Sequence, residues 1–327
     1  MTSKDKILIG LVDADLLNGG TRHPNLVLLK LAGFLTDNAI PFRLIIDKDE
    51  NIMEYTTIYM SKVFSFTPDP PFYEKVKKTP NENKFKIGGT GDYAIKKDIK
   101  DFKSSRTRDM NQLENDIFLN NYPNKRGGKK KWGIDMCRQM PYYHLYDEYI
   151  QSKIKAGRKK SYFNDYLYYS IGFLTRGCIR HCPFCVNKLE NKVYRYSELE
   201  WFLDDERNEK GDLIRPYIYL WDDNFLAAPK EIWQPMLQSL IDSKRPFQFR
   251  QGLDERILAE SEEGEEIAQM LSKCKYHGDF IFAFDNWRDR DKIIKALKIW
   301  KRHNSKRGTK FYLFCGYTLK SGEDEKL

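Results

Sequence analysis

Gly172-Phe-Leu-Thr-Arg-Gly-Cys178-Ile-Arg-His-Cys182-Pro-Phe-Cys185 places three thiols at Cys-x3-Cys-x2-Cys spacing in one short loop, directly after an apolar, strand-like run from Tyr166 to Leu174. Protein-bound iron–sulfur clusters are normally completed by four thiolates. A four-iron cubane held by three would keep one iron open for another ligand. The competing use is zinc, which requires a tetrahedral set. Its fourth ligand would have to be His181, inside the loop, or the distant Cys137, Cys274 or Cys315. A chemically idle set of cysteines fits poorly with Pro183 and the flanking basic residues Arg176 and Arg180.

Three cysteines at this spacing, following a strand, resemble the signature of the radical S-adenosylmethionine (radical SAM) enzymes. The resemblance implies a [4Fe-4S] cluster on Cys178, Cys182 and Cys185 whose open iron chelates the amino and carboxylate groups of SAM. It further implies one-electron cleavage of SAM to methionine and a 5′-deoxyadenosyl radical, with an electron donor such as flavodoxin or ferredoxin.

Outward from the loop, the C-terminal half reads as strands alternating with helices. Strand-like segments recur at Tyr166–Leu174, Tyr217–Trp221, Phe247–Arg250, Phe280–Phe284 and Phe311–Cys315. Between them, Ser197-Glu-Leu-Glu200 has the form of a capping box opening a helix through Leu203. Ile232–Ile241 carries a helical apolar stripe whose Pro235 is expected in the first turn, and Glu262–Lys273 starts acidic and ends basic. Ile293, Ile294, Leu297 and Trp300 stripe a last helix. Five strand–helix units in series predict an open or partial parallel barrel over residues 166–327. The family's core usually has six units, so the expectation is a partial (β/α)6 radical SAM barrel, truncated before its last unit.

The N-terminal part also alternates. Lys6–Val12, Phe42–Ile46, Thr57–Phe66 and Phe85–Ile87 read as strands, and Asn25–Leu35 as a helix with Pro24 suited to its first position. The expected fold class is therefore α/β, a small doubly wound sheet over 1–95 followed by the barrel. This sheet resembles the cobalamin-binding domain of one radical SAM branch, with Gly88-Gly-Thr-Gly91 where such domains approach the cofactor's tail. That branch carries Asp-x-His-x-x-Gly, whereas this chain has Asp13-Ala-Asp15-Leu-Leu-Asn-Gly19, with His23 out of spacing. The expectation is a cobalamin-binding-like domain without cobalamin. Residues 96–165 are charged and asparagine-rich and read as a linker, whose aromatic Met140–Tyr149 segment packs on a domain.

Strand ends carry the working residues in parallel barrels. Phe184 occupies the position that, by the resemblance, lies against adenine, and Asp222-Asp223 the position that binds the amino group of SAM. Helix capping is the competing use of Asp222, Asp223 or Asn224. Arg250, Gln251 and Asp254 end the third strand and are assigned to the SAM carboxylate, ribose or substrate; Asp285 ends the fourth and is assigned to the ribose hydroxyls. Cys315-Gly316 resembles the strand along adenine, and Cys315 is a candidate hydrogen donor to a product radical.

The 327 residues include 41% hydrophobic and 14% aromatic residues, ample for two cores. Six cysteines in a chain this long do not form a disulfide scaffold, and no run approaches the length of a membrane span. A reduced, cytoplasmic protein with no membrane partner is expected. The net charge of +9 suits a polyanion, and its basic clusters lie at Lys125 to Lys131 and Arg158 to Lys160. The expected activity is hydrogen abstraction from RNA or a nucleotide first, or from a peptide or small metabolite. The alternative from another class is a non-catalytic zinc and nucleic-acid-binding module.

Overall fold

In the computed structural model, described over residues 8–89, 134–185, 187 and 190–313, the chain divides into two compact units, Met1–Leu167 and Tyr168–Leu327. The first is built around β1 (Ile9–Asp13), whose five residues are all buried. A strand buried on both faces belongs in the middle of a covered parallel sheet. β1 pairs in parallel with β2 (Phe42–Leu44) on one side and β3 (Thr57–Ser61) on the other, and β4 (Phe85–Gly88) extends the sheet in the order β2-β1-β3-β4. Alternation splits the side chains between two cores. Ile9, Leu11 and Tyr59 pack with the helix α2 (Leu26–Asp37), while Val12, Ile58 and Met60 pack with Ile45, Ile52 and Phe72.

Several local expectations shift. Asn25 caps α2 by accepting from the Leu28 N–H at 3.2 Å, so Pro24 lies one step outside the helix and not at its first position. β3 stops at Ser61, five residues before the expected end, because the Asp15 carboxylate draws the backbone N–H groups of Val63 and Phe64 out of the ladder. Residues 134–166, read from composition as linker, contribute Ile134, Met136, Tyr146, Ile150 and Phe163 to the α2-side core. Their helices are α4 (Asp147–Lys155) and α5 (Asn164–Tyr168), numbered after α1 (Ala14–Gly19) and the short α3 (Pro71–Glu74). The Lys125 to Lys131 cluster lies outside the described residues. So do positions 90–91 of the glycine turn. Gly89 has φ +106°, and a Cβ there would stand 2.3 Å from the Lys62 carbonyl oxygen.

Asp13 ends β1, caps α1 through the Leu16 N–H, and accepts from the Tyr146 hydroxyl at 2.9 Å. Burial pushes its carboxyl up to about 6, against the lowering effect of those donors. A carboxyl raised in the folded state takes up its proton on folding, so its contribution is greatest below pH 4 and is lost as pH rises towards 6. The D13N variant should lack that loss, up to about 3 kcal/mol. The check is thermal unfolding at pH 4 and 6.5: equal pH sensitivity in the variant and the parent would contradict it.

The second unit begins with β5 (Tyr169–Gly172), shorter than expected because residues 164–168 form α5. β5, β8 (Tyr217–Leu220) and β9 (Phe247–Phe249) form one parallel sheet; β10 (Phe280–Phe284) and β11 (Thr309–Leu313) form another. Single parallel bridges, Phe247 to Tyr276 and Leu253 to Phe282, connect the two. Among the described residues the arrangement is thus two open parallel sheets in chain order. Between the strands run α6 (Lys230–Asp242), α7 (Arg256–Glu260), α8 (Gly264–Ser272) and α9 (Arg290–Asn304).

Ile218, Leu220, Phe247, Phe249, Phe280 and Phe282 face these helices and form the unit's core with Trp233, Leu237, Leu271 and Trp300. Pro235 sits in the second turn of α6, not the first. The expected helix after Ser197 is only a 3-10 turn, Leu199–Trp201. Phe202 fixes that outcome, since its ring fills the space where a Cβ on Gly172 would lie, 2.4 Å away. No helix among the described residues is long and apolar enough to cross a membrane.

Candidate cluster loop and strand-end site

Past Gly172 the chain forms a two-stranded antiparallel ribbon, β6 (Thr175–Arg176) with β7 (Tyr194–Arg195), whose closed end carries the three cysteines. Gly177 opens that loop at φ +95°, with a hypothetical Cβ 2.2 Å from the Lys192 carbonyl oxygen, so only glycine fits. Cys178, Cys182 and Cys185 are all partly buried. His181 adopts φ +51°, reversing the chain between the first two, and the Cys185 N–H donates to the Cys182 carbonyl at 2.9 Å. Burial raises the Cys182 and Cys185 thiols; the charges of Cys178 and Cys185 add to the first and that of Cys178 to the second.

The adjacent carboxylates at the end of β8 hold this loop. Asp222 is 1% exposed and accepts from the backbone N–H groups of Leu174 and Thr175 and from the Thr175 hydroxyl at 2.7 Å. Desolvation nevertheless pushes its carboxyl up to about 7. Asp223 accepts from the Gly177 N–H at 2.9 Å and the Asn187 side chain at 2.8 Å, and pairs with Arg176 at 3.2 Å. Both members of the pair are therefore engaged, Asp222 by the segment leading into the loop and Asp223 by the loop itself. Neither is a helix cap, and Asn224 makes no side-chain capping bond either.

Asn224 instead donates to Cys178 Sγ at 3.5 Å and to Asp254 Oδ2 at 3.0 Å. Asp254 is the hub of the next strand end. Arg180 of the cysteine loop donates to its Oδ2, and Arg256 to its Oδ1 at 2.6 Å. Arg180 also reaches Glu260 at 2.7 Å, and Arg256 reaches Asp289 at 2.8 Å. The Asp254 carboxyl is held below the ordinary range by these two guanidinium groups, which outweigh its burial. Glu255, 0% exposed, accepts from the Ala283 N–H, has an Oε1 without a partner among the described residues, and is pushed up to about 7 by burial.

Asp285, at the end of β10, is half-buried and raised by desolvation. Its charge acts on Cys182 and Cys185, and no hydrogen bond or ion pair engages it among the described residues. Phe184 stands 37% exposed on the loop, and Gln251 is exposed. Arg250 points elsewhere: its guanidinium stacks over Tyr219 at 4.7 Å and donates to Gln248. Cys315 lies outside the described residues. The structure thus brings together the cysteine loop, Asp222, Asp223, Asn224, Asp254 and Asp285. Sequence reading missed the bridge from Arg180 through Asp254 to Arg256; the charge triplet Asp254-Glu-Arg256 after a strand was its available signal.

The donor set suits an iron–sulfur cluster. A cubane bonds each thiolate to a different iron. The sulfurs also receive N–H groups, from Arg180 to Cys178 and from Asn187 to Cys185, each at 3.4 Å. Such bonds belong to thiolate-ligated clusters. Of the candidates for a fourth zinc ligand, Cys274 is buried in the core with its thiol on the Met270 carbonyl.

No family model matches the chain, and no curated protein matches it. Its fold is similar to that of the radical S-adenosylmethionine methyltransferase TsrM from Kitasatospora setae, solved with cobalamin and a [4Fe-4S] cluster bound. The TM-score is 0.50 at 13% identity, over 94% of this chain and 68% of that one. The expectation against cobalamin, drawn from the missing histidine, finds no support in this comparison.

Proposed function

We propose that the chain is a radical SAM enzyme, with a [4Fe-4S] cluster on Cys178, Cys182 and Cys185, acting on RNA or a nucleotide. The observation that carries the reading is one partly buried loop, closed by a ribbon and roofed by N–H donors, presenting three thiols beside the ends of parallel strands. When bound, the cluster supplies the electron that cleaves SAM, and the resulting radical abstracts hydrogen from the substrate. The protein's own part is positioning and exclusion of water. Asp222 and Asp223 hold the loop, Phe184 offers a ring on its rim, and Asp285 supplies the unengaged carboxylate for SAM's hydroxyl or ammonium donors. Electrons come from a flavodoxin or ferredoxin.

A second reading, methyl transfer through bound cobalamin, is favoured by the cobalamin in the fold neighbour. Spectral change on titrating the anaerobic chain with hydroxocobalamin separates the two.

The test is anaerobic reconstitution with iron and sulfide, then dithionite and SAM, with 5′-deoxyadenosine read by mass spectrometry. Cluster-dependent 5′-deoxyadenosine is expected. A colourless, zinc-loaded protein that leaves SAM intact would overturn the reading in favour of a nucleic-acid-binding module. D285N should retain its cluster and weaken SAM binding about tenfold, the worth of one charge-assisted hydrogen bond. Unchanged SAM affinity would remove Asp285 from the site.

A further inference from the structure

Asn224 is 5% exposed, and its amide is held in one orientation. Nδ2 must face Asp254, because a carboxylate accepts and cannot donate. Asp254 in turn cannot swing away, since Arg180 grips one oxygen and Arg256 the other. The same Nδ2 therefore lies against Cys178 Sγ at 3.5 Å, joining the Arg180 N–H at 3.4 Å as a second donor to that sulfur. The orientation leaves Oδ1 buried without a partner among the described residues. The orientation thus serves Asp254 and Cys178 at the expense of the amide's own oxygen.

We propose that Asn224 is a positioning residue that sets the reduction potential of the cluster through its hydrogen bond to Cys178, with Asp254 fixing the amide in its donating orientation. The inference rests on the reading of Cys178 as a cluster ligand. Hydrogen bonds to the sulfurs are among the determinants of cluster potential. An N–H drawn towards a thiolate takes up part of its charge and so stabilises the reduced cluster, which carries one more negative charge. Removing the donor makes the cluster harder to reduce.

The experiment is a redox titration of the reconstituted full chain, without SAM, following the electron paramagnetic resonance signal of the reduced cluster. N224L should lower the ratio of reduced to oxidised cluster at a fixed potential about tenfold, or 59 mV for one electron. Its thermal stability should fall, because the buried Asp254 carboxylate loses a donor. An unmoved potential in loaded N224L, with or without lost stability, would make Asn224 a packing residue and overturn the proposal. If N224L takes up no cluster, N224S, smaller and out of reach of the sulfur, decides by the same titration. A parent chain that binds no cluster overturns the radical reading and this inference together; a loaded parent whose variants titrate identically overturns this inference alone.

Discussion

Replacing Cys182 by alanine is expected to abolish the cluster's visible absorption and to lower 5′-deoxyadenosine formation by more than about a thousandfold, or ~4 kcal/mol of activation free energy. The substitution removes a single ligand and little else. Cys182 contributes its carbonyl, not its thiol, to the loop's internal bond with the Cys185 N–H, and alanine keeps that carbonyl. The thiol is partly buried and raised by desolvation, so in the metal-free chain it carries no charge that the fold depends on. Fold and function thus separate: thermal unfolding of metal-free C182A should match the parent within about 0.5 kcal/mol. Cys274→Ala is the opposite control, costing stability in the core while leaving cluster and chemistry in place. A C182A protein that still produces the nucleoside would sink the three-thiolate reading.

Asp222→Ala should have the largest effect on the fold around the loop, about 3–5 kcal/mol by the cost of stranding buried donors. The carboxylate serves two backbone N–H groups and one hydroxyl at the point where β5 gives way to the ribbon. Alanine leaves all three without an acceptor and opens a void where water cannot readily follow. D222N should fall between the two, because its carbonyl keeps part of the acceptor capacity while its NH2 meets only other donors. The measurement is urea unfolding of the metal-free chain alongside iron content after reconstitution. A D222A variant as stable as the parent would mean that the loop is held by Asp223 and the ribbon alone.

Much of the architecture was legible because burial writes plainly. The apolar runs at Ile9–Val12, Ile58–Met60 and Phe280–Phe284 are strands with both faces or their core face covered, and composition alone locates them. The cysteine loop was legible because ligand spacing is a local property. What composition concealed is tertiary. Tyr143, Tyr146 and Tyr149 pack in the first unit's core as their aromatic run predicts, but the hydrogen bond from Tyr146 to Asp13, 133 positions away, was hidden. Ser197 has the letters of a capping box, but the packing of Phe202 over Gly172 allows only a short turn. Asp222-Asp223 shows that two carboxylates after a strand need donors; it does not show that the donors are N–H groups of the loop and of the segment leading into it. Asn224 was invisible as a sulfur partner because its two contacts lie 46 and 30 positions away.

The ribbon that closes the cysteine loop bears on how the protein matures. Thr175 pairs with Arg195 and Arg176 with Tyr194, and Asp222 and Asp223 clamp the approach, all through the chain's own groups. The entropy of closing the loop is thus met by the polypeptide itself during folding. In small zinc domains, by contrast, metal binding and folding are one event. On the proposed cluster reading, a carrier delivering iron and sulfide would meet a socket whose rim the polypeptide closes itself, so iron starvation should deplete activity and spare the folded chain. Cells short of iron would accumulate an intact reserve that regains its cofactor without new synthesis.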